Sequence, residues 1–462
     1  MPHRAPRELR PTCPGWGTPL HQSGATLDVV CYSARAMTDE RNIPQGRLGR
    51  LARFAAAGAR TGASLLLDRD GDGAARRAAE LLGTLRGVAT KLGQMASYVD
   101  GVIPDGQRDV YETAMRGLQA AAPSSSWVSI RRRVEDELHA PLESLFDAFE
   151  ERPLASASIG QVHRAMLKDG TAVVVKVQHP GIDRALESDL ANTGLLEALL
   201  NAMGGRRINA SAMFEELRTR FMEELDYSLE AQRQEQFAQF HTGDPTVRVP
   251  GVVATHSSQR VLTSTLATGM GFEAMLQTPE AERRKYAETM WRFVYKGNLL
   301  AGMFNADPHP GNYFFGENGV VTFLDFGCVQ PIHQPLLTHA RVLHDSALKR
   351  DEAAFSEAAR LMSGTRPGRY GDMAVKFIRR CFEPVFSSPF RMTRPYAAEL
   401  LHMLRAQAAE SRTLADHEVT EMPKGILFLN RLNFGFYSVL ARMDVTVDYA
   451  AVERAFMAEA NL

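Results

Sequence analysis

The chain has 462 residues and a formal net charge of −1, with 53 Lys and Arg against 54 Asp and Glu. This balance gives no long-range electrostatic argument for binding nucleic acid or an anionic membrane. The four cysteines form no Cys-x-x-Cys pair, so neither a disulfide framework nor a structural zinc site is expected, and a reducing cytoplasm fits best. The length allows two or three domain-sized units, or one two-lobed catalytic domain with an extension.

The first 145 residues divide into two segments. Residues 1–36 carry Pro, Gly, Arg and Cys without periodicity, and Met37 begins a run that would make a natural start. We expect residues 1–36 to be disordered or to come from a mis-called upstream start. Residues 37–145 predict a helical extension, because apolar residues recur every three or four positions. The clearest apolar stripe, with Lys91, Gly93 and Gln94 beside it, comprises Leu81, Leu85, Val88, Leu92 and Met95.

Residues 146–268 have the pattern of a small, strand-rich lobe. Two β-rich segments, 162–167 and 171–178, are joined by an Asp-Gly turn typical of a hairpin. Lys176 lies in the apolar run of the second segment, where a lysine is costly to bury unless an anion pairs with it. Small residues before a hairpin let backbone amides approach phosphates. Such a run precedes this hairpin: Ala155, Ser156, Ala157 and Ser158.

An acidic segment supplies candidate partners for Lys176. Residues 223–236 predict one charged helix, and its candidate acids are Glu224, Asp226 and Glu230. Glu224 and Glu230 are six residues apart and do not share a helical face well, so we interpret them as serving different partners. Two further strands are predicted, at 248–253 and 260–266.

The segment 269–462 contains two short motifs separated by a predicted hairpin, Tyr313 to Phe323. A predicted helix from Pro279 to Met303 leads into the first, which begins at Asp307 and ends at Asn312. This Asp-to-Asn spacing is that of a phosphotransferase catalytic loop. His309 lies between two prolines there, and we interpret it as a structural hydrogen-bonding residue rather than a metal ligand.

The second motif is Asp325-Phe326-Gly327, an acidic triplet of the kind that holds metal on nucleotide phosphates. Magnesium prefers hard oxygen ligands, and carboxylate and amide oxygens from two adjacent loops supply them. After the triplet the chain is predicted to be largely helical. Its longest apolar stretch, 425–439, is interrupted by Asn430, Arg431 and Asn433, which predicts an amphipathic or buried helix.

Together these motifs resemble those of the UbiB/AarF-type atypical kinases. They occur in the order of that family over roughly residues 80–330, and their combination is far more specific than any one of them. The matching segments are Lys91-Leu92-Gly93-Gln94, 155–163, 175–181, Glu224-Leu225-Asp226-Tyr227 with Glu230-Ala231, 306–312 and 325–327.

The resemblance implies an α+β, protein-kinase-like two-lobed fold with ATP and Mg²⁺ as cofactors. The expected units are the extension 37–145, a small lobe 146–268 and a largely helical large lobe 269–462. Lys176 would hold the α- and β-phosphates and pair with Glu230, and Asp307 would occupy the catalytic-base position. Asn312 and Asp325 would bind the metal. The residues expected around the nucleotide are Ala155, Ser156, Ala157, Ser158, Lys176, Lys91, Gln94, Glu224 and Asp226.

The function implied by the resemblance is a Mg-ATP-dependent atypical kinase or ATPase that supports isoprenoid-quinone (ubiquinone) or related lipid metabolism. Two alternatives stay open: a small-molecule phosphotransferase of the choline- or aminoglycoside-kinase kind, and a non-catalytic nucleotide-binding scaffold. The expected partners are ATP or ADP and an isoprenoid lipid or quinone precursor, not nucleic acid. The expected location is the cytoplasm, with peripheral membrane contact through amphipathic helices such as residues 426–440.

Overall fold

The computed structural model describes residues 125–156, 159–184, 186, 210–410 and 426–460. The predictions for residues 1–36, for the helix with Lys91 and Gln94, and for Ala157 and Ser158 lie outside the described residues. The described residues form a strand-rich small lobe and a largely helical large lobe, which confirms the predicted α+β, two-lobed fold.

The small lobe is built on a five-stranded antiparallel sheet. Its order is β1–β3–β4–β6, with β2 paired to β3; the strands are β1 (Phe146–Phe149), β2 (Ala155–Ser156), β3 (Gly160–Leu167), β4 (Ala172–Gln178) and β6 (Val261–Thr265). The predicted hairpin is confirmed as β3 and β4, with Val162 opposite Lys176. Side chains alternate between the faces of a strand. Val175 and Val177 are therefore buried on one face of β4, while Lys176 lies on the other.

Two helices precede this sheet, α1 (Trp127–Leu138) and α2 (Leu142–Leu145). Helix α1 begins at Ser126, whose hydroxyl accepts the backbone N–H of Ser129. Its apolar face buries Ile130 and Val134 in one core with the valines of β4. This packing favours a small lobe that begins before residue 146, although the domain boundaries stay a prediction.

The single charged helix predicted over 223–236 is wrong. The chain forms two helices there, α3 (Ala210–Glu224) and α4 (Tyr227–Phe240). The break occurs because Asp226 caps α4: its carboxylate accepts the N–H groups of Ser228 and Leu229. Glu224 and Glu230 therefore lie on different helices.

The strand predicted over 248–253 is largely wrong, whereas β6 confirms the one predicted over 260–266. Strand β5 covers Val247–Arg248 and pairs in parallel with β9 (Val321–Phe323) in the large lobe. Beyond it, Val252 makes only an isolated bridge to Ser264. Pro250 has no N–H to donate, which explains why the ladder does not continue.

The large lobe is mostly helical, as predicted. Its elements before and after the site are α5 (Phe272–Met275), α6 (Glu280–Lys296), β7 (Met303–Asn305), β8 (Tyr313–Phe315), β10 (Val329–Pro331), α7 (Leu336–Lys349), α8 (Glu352–Ser363), α9 (Arg369–Cys381), α10 (Glu383–Phe386), β11 (Phe390–Arg391), α11 (Arg394–Glu410), α12 (Ile426–Met443), β12 (Thr446–Val447) and α13 (Tyr449–Glu459). Strands β8 and β9 form the predicted hairpin.

Helix α6 ends before Met303, where the sequence predicted its end. The segment 297–301 widens into a π-helical turn, and Gly302 then adopts φ 63°. A left-handed glycine ends a helix readily because it has no Cβ. The chain leaves this turn as β7, which pairs with β10 and carries it into the catalytic-loop motif.

Helix α12 is part of the core. Its buried side chains include Leu432, Phe434, Phe436, Tyr437, Val439 and Leu440. A Cβ on Gly435 would lie 2.6 Å from Cγ of Pro308, so the glycine allows α12 to support the catalytic loop directly. From Leu432 onward the apolar side chains of α12 are packed in the core and are not available for membrane contact, so the expected peripheral contact through residues 426–440 stays a prediction that this part of the helix does not support. Among the helices of the described residues, none combines the length and hydropathy needed to cross a bilayer.

Aromatic rings connect α4 to the large lobe. The ring of Phe237 on α4 lies 5.3 Å from that of Phe293 on α6, and also 5.3 Å from Phe326 of the acidic triplet. Phe293 in turn stacks on Phe323 of β9 at 3.6 Å. The stack fixes the helix, the triplet and the hairpin against one another without polar contacts.

His241, immediately after α4, packs in this stack with two buried ring nitrogens that make no hydrogen bond in the described part of the chain, which lowers the free energy of unfolding. Its ring lies 4.7 Å from that of Phe293. Burial, with a smaller contribution from Lys296, lowers the pKa of His241 to about 4. The imidazole is therefore neutral at pH 7.

Replacing His241 with Phe is expected to raise the free energy of unfolding, and by more at pH 5 than at pH 7. In the unfolded chain the imidazole binds a proton below about pH 6.5. In the folded chain it stays neutral down to about pH 4, so falling pH favours the unfolded wild type. The variant removes this penalty and should gain roughly 1–2 kcal/mol at pH 5. Urea denaturation at both pH values measures the gain.

The matched control is His402→Phe, which changes an exposed histidine on α11. It should show no gain that grows as the pH falls. A His241→Phe gain that is absent, or equal at the two pH values, would contradict the assignment of a neutral buried imidazole.

Candidate functional site

Lys176, the residue expected to hold phosphates, is paired with Glu230. Its ammonium donates to both carboxylate oxygens, at 2.7 and 2.9 Å. The Lys176 side chain is 18% exposed and that of Glu230 only 5%. The ring of Tyr227, whose centroid lies 5.0 Å from the ammonium, adds a cation–π contact. Of the acids that the sequence left open, the structure brings Glu230 to Lys176.

Burial and neighbouring charges act in opposite directions on this pair. Burial lowers the pKa of Lys176, but the carboxylates of Asp325 and Glu230 outweigh it and hold the pKa well above its usual value. Burial raises the pKa of Glu230, Lys176 opposes that rise, and the like charge of Asp325 adds to it. Lys176 is therefore positively charged at neutral pH, as binding of a phosphate requires.

The acidic triplet lies directly beside this pair. Oδ1 of Asp325 is 3.8 Å from the Lys176 ammonium and accepts the N–H of Gly327 at 3.2 Å. Asp325 has φ 60°, a left-handed backbone that is uncommon outside glycine and clusters at functional sites. Phe326 is fully buried against α4. The triplet thus turns its carboxylate toward Lys176 and its phenyl ring into the core.

The catalytic-loop motif packs against the triplet. The amide nitrogen of Asn312 donates to the backbone oxygen of Asp307 at 3.1 Å and to its Oδ2 at 3.3 Å. The backbone oxygen of Asn312 accepts the N–H of Leu324, the residue before Asp325, at 2.9 Å. Because β8 starts just after Asn312 and β9 ends just before Leu324, their hairpin brings Asn312 and Asp325 to one edge.

Asn305 is a residue that the sequence analysis did not single out. Its amide nitrogen donates to the backbone oxygen of Asp325 at 2.7 Å, and its amide oxygen accepts the N–H of Asp307 at 3.1 Å. One side chain therefore ties the loop of the predicted base to the loop of the predicted metal ligand. In the sequence Asn305 is notable only for its proximity to Asp307, because the link to Asp325 is a long-range contact that no local pattern indicates.

Other predicted residues have local roles in the structure. Ala155 and Ser156 are exposed in β2, opposite Val162 and Gln161 of β3, at the start of the run of small residues. The described hydrogen bonds of Asp226 cap α4. Burial raises the pKa of Tyr227 and of Glu230, and the negative charge of Glu224 adds to both rises. Nδ1 of His309 accepts the N–H of Gly311 at 3.0 Å, the structural role that was predicted.

The donor set fits a magnesium-bound nucleotide. The amide nitrogen of Asn312 is engaged with Asp307, so its amide oxygen is the atom that suits a cation. Asp325 offers a carboxylate, and Lys176 offers a protonated amine next to it. Mg²⁺ commonly takes one or two protein oxygens and completes its shell with phosphates and water.

Changing Asn305 to Asp is expected to weaken Mg²⁺-dependent nucleotide binding by about tenfold, the usual scale for losing one hydrogen bond that is partly buried. The aspartate keeps an acceptor for the N–H of Asp307 but sets a carboxylate against the carbonyl of Asp325. Titration with a fluorescent ATP analogue at saturating Mg²⁺ measures the affinity.

Asn318→Asp is the matched control, because it makes the same change in the turn between β8 and β9, where Asn318 has φ 56°. It should leave the affinity unchanged. Equal affinities for wild type, Asn305→Asp and the control would refute the role of Asn305 as a tie between the loops.

Comparison with known proteins identifies the family to which the chain belongs. A family model of the ABC1 atypical kinase-like domain matches residues 117–359. The relative "Atypical kinase coq-8, mitochondrial" of Caenorhabditis elegans is 27% identical over 444 residues, which are 89% of this chain and 57% of that one. "Atypical kinase COQ8B, mitochondrial" of Rattus norvegicus is 27% identical over 434 residues, 88% of this chain and 80% of the rat protein. The chain thus spans little more than half the length of the worm relative.

The fold also matches that of a solved structure, the Mycobacterium tuberculosis protein Rv3197 in a complex with erythromycin. The TM-score is 0.57 at 24% identity, with 87% of this chain and 97% of the other covered. This likeness concerns the fold alone. Since the ABC1 domain match covers more than half of the sequence, the chain belongs to the ABC1 atypical kinase-like family, the UbiB family that its motifs indicated.

Proposed function

We propose that this protein is a Mg-ATP-dependent atypical kinase or ATPase of the UbiB type. The observation that carries the proposal is the buried ion pair of Lys176 and Glu230 beside Asp325. Two buried charges in close contact are costly to assemble, and replacing them with apolar residues often stabilises a protein. The cost of burying the pair is explained if the Lys176 ammonium is needed to bind a phosphate.

Each side chain has a distinct task in this proposal. Lys176 binds the α- and β-phosphates, and Glu230 holds its ammonium in place. Asn312 and Asp325 hold Mg²⁺, which when bound offsets the negative charge of the phosphates. The oxygen of the attacking hydroxyl or water forms a bond to the γ-phosphorus while the bond from the γ-phosphorus to ADP breaks. Asp307 accepts the proton that this attacking oxygen loses.

The biological setting that we propose is isoprenoid-quinone or related lipid metabolism. The support is the motif set shared with the UbiB/AarF-type family and the membership of the chain in the ABC1 family. ATP or ADP and an isoprenoid lipid or quinone precursor are the proposed partners, and any membrane contact is peripheral. Because the side chains of α12 from Leu432 to Leu440 lie in the core, that contact requires a surface other than these residues.

Two variants should separate metal binding from chemistry. Asp325→Asn is expected to abolish the Mg²⁺ dependence of ATP affinity, because it removes the charged metal ligand. Asp307→Asn should keep the affinity of wild type within about threefold and lower the turnover of ATP by about 10²–10⁴, the range for loss of a general base. Calorimetric titration with and without Mg²⁺ measures the first effect, and phosphate release measures the second.

Asp351→Asn is the control, since Asp351 caps α8 outside the site and Asn caps a helix about as well as Asp. It should behave as wild type in both assays. Mg²⁺-dependent affinity that survives in Asp325→Asn would overturn the assignment of the metal ligand. Full turnover in Asp307→Asn would overturn that of the base.

The lipid setting has its own test. Turnover of ATP by wild type is compared in buffer, with phospholipid vesicles, and with vesicles that contain a quinone-precursor mimic. Stimulation of several-fold by the vesicles or the mimic supports the proposal. Turnover of a soluble hydroxylated substrate without lipid stimulation would favour a small-molecule phosphotransferase, and ATP binding without turnover in every condition would favour a scaffold.

A further inference from the structure

One face of helix α4 meets the whole acidic triplet. Its contacting residues lie three and four positions apart and therefore share one side of the helix: Glu230, Arg233 and Phe237. Glu230 reaches Asp325 through the ammonium of Lys176. Phe237 packs its ring against Phe326.

Arg233 binds the third residue of the triplet. Its Nη1 donates to the backbone oxygen of Gly327 at 3.2 Å, and its side chain is 10% exposed. There is little room for a side chain at Gly327, because a Cβ there would lie 3.3 Å from Oδ1 of Asp325 and 3.5 Å from Oε2 of Glu230. The carbonyl that Arg233 binds thus belongs to the residue whose N–H fixes the Asp325 carboxylate.

The second terminal nitrogen of Arg233, Nη2, contacts helix α3. Nη2 donates to Oε2 of Glu223 at 2.6 Å. Glu223 also accepts from Nη1 of Arg220, at 2.9 and 2.8 Å, and it lies one residue before Glu224 at the end of α3. A planar guanidinium can serve two acceptors in a fixed geometry, which an ammonium does not reproduce.

We propose that Arg233 is a positioning residue that holds the metal-binding triplet through Gly327 and couples it to the junction of α3 and α4 through Glu223. The inference rests on the proposed function, because it concerns the Mg²⁺ affinity of the same site. Arg233 acts through the backbone of Gly327, whose carbonyl it binds and whose N–H orients Asp325, and is not proposed to contact the nucleotide. A shift of α3 at Glu223 is therefore transmitted to the metal ligand.

The test is a Mg²⁺ titration of nucleotide binding in the full chain at a fixed concentration of fluorescent ATP analogue. Arg233→Ala should raise the Mg²⁺ concentration at half-saturation by about tenfold, because a charge-assisted hydrogen bond to the triplet is lost. Affinity for the analogue without Mg²⁺ should stay within about twofold. Excess Mg²⁺ should restore the turnover of ATP, a recovery that general damage to the fold would not allow.

Arg220→Ala is the matched control, since it removes the other cation on Glu223 but leaves the bond to Gly327 intact. It should keep the Mg²⁺ midpoint of wild type. Equal midpoints in Arg233→Ala and wild type, or equal shifts in Arg233→Ala and Arg220→Ala, would overturn the inference. If Arg233→Ala does not fold, Arg233→Gln is tested instead, because the shorter glutamine amide cannot bind both the Gly327 carbonyl and the Glu223 carboxylate. An unchanged Mg²⁺ midpoint in Arg233→Gln would also overturn the inference. A wild type without Mg²⁺-dependent binding would instead refute the proposed function, and this inference with it.

Discussion

The arrangement of the site depends on the buried contact between Lys176 and Glu230. The strand that carries the lysine is central in the small-lobe sheet, and the helix that carries the glutamate also packs against the acidic triplet. Desolvating both charges is expensive, so removing one partner would leave the other buried and uncompensated. This ion pair therefore joins α4 to β4, and the contacts of α4 with the acidic triplet join both to the loop that follows β9.

Further contacts position the two loops that carry Asp307 and Asp325. Asn305 binds backbone atoms of both loops, and the hairpin of β8 and β9 brings their ends together. Behind the loops, Gly435 of α12 lets Pro308 rest directly on a buried helix. The hydrogen bonds of Asn305 and the apolar contact of Pro308 with α12 leave Asp307 and Asp325 little conformational freedom. Phosphoryl transfer requires this kind of preorganisation.

Local chemistry explains which parts of this architecture could be predicted. The hairpin of β3 and β4 combines alternating apolar residues with an Asp-Gly turn, and both signals are local. The break between α3 and α4 was missed although Asp226 is a good capping residue, because the flanking acids extended the helical pattern across it. The choice of Glu230 as the partner of Lys176 depends on how α4 packs, which spacing alone leaves open. The hydrogen bond from Asn305 to Asp325 joins residues 20 positions apart, so only the folded chain reveals it.

The central claim, that the Lys176–Glu230 pair acts as one unit in binding Mg-ATP, is tested most directly by a double-mutant cycle. ATP affinity at saturating Mg²⁺ is measured for wild type, Lys176→Met, Glu230→Gln and the double variant. The account predicts that each single change weakens binding and that the double variant binds no worse than Lys176→Met alone. Losses that simply add, or an affinity that none of the changes alters, would contradict it.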